Sequence, residues 1–110
     1  MAANKQIVFE SNGAKYTLEF DRDTAQRAER GMGISMSELQ SGKTYMVHDL
    51  FAAAFLKHHP HAKPSTIDGF FEAISDKAGL YEALVEMYVD AAASLLEEPE
   101  EGKAISWKVQ

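Results

Sequence analysis

Three imidazoles, His58, His59 and His61, fall within four residues and account for three of the chain's four histidines. Histidine is a common transition-metal ligand, but a usable site needs about three or four convergent groups with outer-shell support. Pro60 splits this group. His58 and His59 diverge around a helix end, where imidazoles sit favourably at the negative end of the helix dipole. No metal site is expected from them. Acid–base catalysis needs paired carboxylates in environments that separate their pKa values. Asp21 and Asp23 instead stand where the first turn of a helix needs acceptors, and Asp49, Asp68 and Glu72 flank apolar stripes as solvated positions. Ser35, Ser37 and Ser41 precede no nucleophile elbow, and no histidine is spaced to serve them. Gly31-Met32-Gly33 lacks the third glycine of a dinucleotide fingerprint. The absence of cysteine removes thiolate nucleophiles, disulfides and cysteine-ligated zinc or iron–sulfur centres. The expectation is a protein without cofactor or metal that is not an enzyme.

What would position these residues is a single domain. The chain has 110 residues, 45% apolar and 25% charged, values of an ordinary globular domain able to bury its own core. The opening Met1-Ala2-Ala3-Asn4-Lys5-Gln6 lacks the apolar run of a signal peptide, and no stretch is apolar enough to span a membrane. Eleven basic against 17 acidic residues leave a charge of −6, which repels phosphate backbones. Neither nucleic acid nor membrane is an expected partner.

The architecture expected is α+β. Ile7 and Phe9, then Tyr16, Leu18 and Phe20, alternate with polar residues on either side of Ser11-Asn12-Gly13, the signature of a hairpin with one apolar face; Lys15, Thr17 and Glu19 read as its solvent side. Residues 1–22 hold this hairpin and residues 23–98 a body of about four helices. The first is capped by Asp21 or Asp23 and stopped by Gly31 and Gly33. Residues 32–39 read as a loop with a short turn near Ser37. A second helix runs from Thr44 along Val47, Leu50, Phe51, Ala54 and Phe55 until Pro60. A third starts near Pro64 and buries Ile67, Phe70, Phe71 and Ile74. Asp76-Lys77-Ala78-Gly79 breaks it, and a fourth runs to about Glu98. Residues 99–110 are an acidic linker, read as a solvated spacer, and a segment in which Ile105, Trp107 and Val109 alternate with Ser106, Lys108 and Gln110. That alternation predicts a strand completing a three-stranded antiparallel sheet with the hairpin, the alternative being addition to the sheet edge of a partner.

The fourth helix carries two apolar stripes. Leu80, Leu84, Met87, Ala91 and Leu95 suffice to dock it, and Tyr81, Val85, Tyr88 and Ala92, with Leu96 near the far end, lie beside them. Such an arc marks either a central helix packed on both sides or a face offered to another chain. Met32, Ile34 and Met36 in the glycine-rich loop are a second candidate contact surface, since methionines adapt to varied partners. Tyr81, Val85, Tyr88, Ala92, Met32, Ile34 and Met36 are therefore the expected partner-binding residues, and self-association through the second stripe is one expected use.

The order of motifs resembles the small tail assembly chaperones of long-tailed bacteriophages, in particular short uncharacterised phage proteins grouped with them. The matching pieces are Gly13-Ala14-Lys15-Tyr16-Thr17-Leu18-Glu19-Phe20 leading to Asp21-Arg22-Asp23-Thr24, and Glu29-Arg30-Gly31. Leu50-Phe51-Ala52-Ala53-Ala54-Phe55-Leu56-Lys57-His58-His59-Pro60 comes next, with Ile67-Asp68 and Phe70 after it. Leu84, Met87-Tyr88 and Leu95-Leu96-Glu97-Glu98-Pro99-Glu100-Glu101-Gly102 precede Trp107. The resemblance implies a non-catalytic assembly factor of the host bacterial cytoplasm. It would coat the tape measure protein, keep it soluble, recruit tail-tube protein and be absent from the mature virion. It also implies a longer form made by translational frameshift. The alternative is a structural virion subunit, such as a small tail or connector protein; a third reading is a regulator that binds a host factor.

Overall fold

Asn12 and Gly13 take φ values of 51° and 80°, the positive pair that a tight two-residue hairpin turn demands. They join β1 (Ile7–Ser11) to β2 (Ala14–Leu18), antiparallel, with Ile7 opposite Leu18, Val8 opposite Thr17, Phe9 opposite Tyr16, Glu10 opposite Lys15 and Ser11 opposite Ala14. The computed structural model describes residues 5–40, 45–97 and 102–110. Ser41, the expected helix start at Thr44, and residues 98–101 of the acidic linker lie outside the described residues, as does the side chain of Leu95.

Among the described residues there are five helices, one more than the periodicity predicts: α1 (Arg22–Met32), α2 (Met36–Gln40), α3 (Tyr45–Ala53), α4 (Pro64–Ala73) and α5 (Lys77–Ala93), the last continued by a 3₁₀ turn at Ser94–Leu96. Asp21, not Asp23, caps α1. Its carboxylate accepts the Thr24 amide at 2.8 Å while the Thr24 hydroxyl accepts the Asp21 amide at 2.8 Å, a reciprocal capping box. At the other end Gly33 sits in the left-handed region, φ 68°, and its amide and that of Ile34 both reach Ala28 O. This closure folds the residue after the glycine back onto the helix. The additional helix, α2, occupies the stretch expected to be a loop; the Ser35 hydroxyl accepts the Glu38 amide at 3.2 Å at its start. The break before α5 is also shorter than expected. Asp76 caps the new helix through Gly79 N–H, so Lys77 and Gly79 are already helical.

α3 stops at Ala53, ahead of Pro60, and the chain continues to His58 in turns. The Ala54 carbonyl, which a longer helix would need, instead accepts the Glu19 amide at 3.1 Å beyond the end of β2. The hairpin's apolar face is covered by α3 and α4 through aromatic contacts: Phe9 lies 5.3 Å from Phe70 and 6.4 Å from Phe51, and Tyr16 4.7 Å from Phe70, ring centre to ring centre. α5 packs against both α1 and α3, and Leu18, Phe20, Leu50, Phe51, Phe55, Leu84 and Tyr88 fill the core between them. The α+β class with a hairpin covered by helices is thus what the chain adopts. The sheet has two strands among the described residues. The expected third strand is not formed: residues 103–110 are irregular, and Ile105, Trp107 and Val109 are 90%, 84% and 88% exposed.

Candidate functional site

The most concentrated polar geometry lies where β2 meets the chain after α3. Glu19, read from the alternation as a solvent-side residue, is only 4% exposed. Its carboxylate accepts from Lys57 Nζ at 2.8 Å and Gln6 Nε2 at 2.7 Å, and lies 2.9 Å from His58 Nε2. Lys57 also reaches Asp21 at 3.3 Å. One lysine therefore ties the end of β2, the cap of α1 and the turn after α3. The Glu19 hydrogen bond, more than any other contact, holds the Lys57 ammonium above its ordinary pKa. Burial alone would raise the Asp21 carboxyl, but the hydrogen bonds from Thr24 and Lys57 together outweigh it and leave its pKa lowered.

The three neighbouring imidazoles take three directions. His58 turns inward to Glu19, whereas His59 Nε2 accepts the Thr17 amide at 3.1 Å and its ring lies 5.2 Å from Tyr16. His61 lies at the lip of an open depression of about 520 Å³ lined by Tyr16, His58, His59, Lys63 and Thr66 among others. Among the described residues no three His, Asp or Glu side chains converge as a metal site, and no buried side-chain polar atom lacks a hydrogen-bond partner. No described helix is long and apolar enough to cross a membrane.

The expected partner-binding residues divide by depth. Tyr88 is fully buried, edge-on to Phe20 at 5.7 Å, with its hydroxyl donating to Glu29 at 2.7 Å. Burial, and then the Glu29 carboxylate, push that hydroxyl's pKa well above the ordinary tyrosine range. Ile34 is 1% exposed because the glycine closure of α1 turns it onto the helix. Neither can meet a partner without unfolding the core, and both belong to the structure instead. Tyr81, Val85, Ala92 and Met32 are half-buried against the core, and Met36 is exposed. The Tyr81 hydroxyl donates to Leu39 O of α2 at 3.3 Å, so α5 is tied to the helix that carries Met36. The wide apolar arc of the last long helix thus reflects its central place between α1 and α3.

A family described as a domain of unknown function, DUF5055, matches residues 1–110. The chain belongs to that family. No curated protein and no solved structure matches it.

Two charged residues of this family member escaped the sequence reading. Glu19 looks exposed because period-two alternation assigns faces relative to one covering layer, and Lys57 and His58 cover the other side. His48 stands between two carboxylates, Asp68 of α4 and Asp49 at 3.2 Å, and links α3 to α4. Asp68 first, then Asp49, raise the pKa of its imidazole. The Asp49 contact is legible from adjacency; the Asp68 contact arises only when the helices pack.

Proposed function

We propose that the chain is a non-catalytic tail assembly chaperone. It binds the tape measure protein, keeps it soluble in the host bacterial cytoplasm, and helps recruit tail-tube protein without remaining in the virion. The observation that carries this reading is the ordered likeness to such chaperones, running from Gly13 to Trp107. The surface supports it. Among the described residues the large apolar side chains left exposed are Val8, Met36, Tyr45, Leu96, Ile105, Trp107 and Val109, three of them in the last six residues. A long helical client is served by shallow, repeated contacts of this kind, each weak and together strong through avidity. The charge of −6 keeps unbound copies apart. The third strand expected of residues 105–109, on the chain's own hairpin or on a partner's sheet edge, belongs to the same reading.

The exposed tail also suits a second reading, a small structural subunit that locks permanently into a virion lattice. Mass spectrometry of purified particles and of the infected-cell lysate tests the choice. The chaperone is expected in the lysate and missing from the particles; stoichiometric recovery from particles would overturn that role in favour of a virion subunit.

A further inference from the structure

The two outer edges of the hairpin are not equivalent. With Ser11 and Ala14 closing a two-residue turn, the hydrogen-bonded pairs are Ser11–Ala14, Phe9–Tyr16 and Ile7–Leu18. The backbone groups of Thr17 on β2, and of Val8 and Glu10 on β1, therefore face outwards. The β2 side is already taken by the chain after α3, since Thr17 N–H donates to His59 and Glu19 N–H to Ala54 O. On the β1 side, the described residues supply no partner for the backbone of Val8 or Glu10. At one end of the hairpin the apolar cover also thins towards that edge: Ile7 is half-buried while Leu18 opposite it is buried, and Phe9 and Tyr16 are both half-buried.

One segment of the chain has what that edge lacks. Residues 105–109 match the five-residue length of β1, alternate apolar and polar side chains, and carry their three apolar groups almost wholly in water. In the single chain they do not pair with β1. We propose that residues 105–109 of one copy add to the β1 edge of a second copy as a third strand. Ile105, Trp107 and Val109 then extend the face that holds Ile7 and Phe9. Ser106 and Lys108 fall on the outer face, beside Val8 and Glu10. An exposed strand edge is a template for such addition. Reciprocal exchange closes a dimer, and one-way donation builds an open row of copies. The inference deepens the assembly reading above but needs no client, so it is tested on the purified chain, and a failure of client binding leaves it standing.

Trp107 is the only tryptophan, so its emission reports the tail directly. Molar mass by light scattering and tryptophan emission are followed together over a dilution series of the full chain. The mass is expected to rise with concentration while emission moves from that of a solvated indole to shorter wavelengths, with one midpoint for both. Val8→Pro, which removes one outward amide, and the tail pair Ile105→Asp with Val109→Asp are each expected to weaken association at least about tenfold. The tail pair lies in an exposed segment, so it remains informative if Val8→Pro fails to fold. A monomer with solvated emission at every concentration overturns the proposal. So does short-wavelength emission from a monomer at high dilution, which would place the strand on its own hairpin, and so does association that survives the tail pair.

Discussion

Glu19 is the residue on which three elements converge, and its loss is expected to be felt in stability before anything else. Removing the carboxylate leaves Gln6, Lys57 and His58 without their shared acceptor. Hydrogen bonds to a charged group are worth about 1.5–3 kcal/mol, so Glu19→Ala is expected to lower the unfolding free energy by about that much in a urea titration. His48 makes a smaller, pH-dependent contribution. Its pKa is raised from the ordinary 6.5, so its stabilising effect is complete below about pH 6.5 and fades as pH climbs through the folded-state value. Because the imidazole is partly exposed, the effect stays below about 1 kcal/mol. The melting-temperature gap between the native chain and His48→Gln is expected to be widest below about pH 6.5 and to narrow as the pH rises above it. Tyr88 behaves as core: Tyr88→Phe costs about 1 kcal/mol through the lost bond to Glu29, and Tyr88→Glu destabilises the fold outright. A binding defect in Tyr88→Glu would therefore report unfolding, and Tyr81 and Met36 are the better probes of contact.

At the level of elements, the hairpin and the longer helices were legible because their signals are local. Asn12-Gly13 specifies its turn, Asp21 and Thr24 specify a cap, and the stripe Ile67, Phe70, Phe71 and Ile74 specifies the side α4 buries or half-buries. What was not legible depends on contacts distant in sequence. α2 is five residues long, too short for a helical period to show. The end of α3 is set by a carbonyl that bonds to Glu19, 35 positions earlier. Residues 105–109 have a strand's alternation, but a strand also needs an edge, and within one chain none is joined. The α1 closure yields a direct check. Gly33 holds φ 68°, so Gly33→Ala is expected to lower stability by about 1 kcal/mol in thermal melts, and Gly33→Asn by less, since asparagine tolerates that region.

For the whole molecule, the same tension recurs between a satisfied interior and an unsatisfied exterior. Among the described residues the core is filled from β2 and the five helices, with Ile7 and Phe9 of β1 packed against it, and no buried side-chain polar atom is left unpaired. Outside it lie a β1 edge whose Val8 and Glu10 backbone groups have no partner among the described residues, a tail with three exposed apolar side chains, and a net negative charge that opposes self-association. Added salt screens that repulsion, so any association of copies is expected to strengthen between about 0.05 and 0.3 M ionic strength. A chaperone needs this balance, soluble when free and adhesive when many copies meet one client. The most direct test of the proposed role is co-expression with a tape measure protein of a long-tailed bacteriophage, followed by size-exclusion chromatography with light scattering. A soluble complex carrying many copies of this chain per tape measure protein is the expected result. An insoluble tape measure protein, with this chain eluting alone, contradicts the chaperone role.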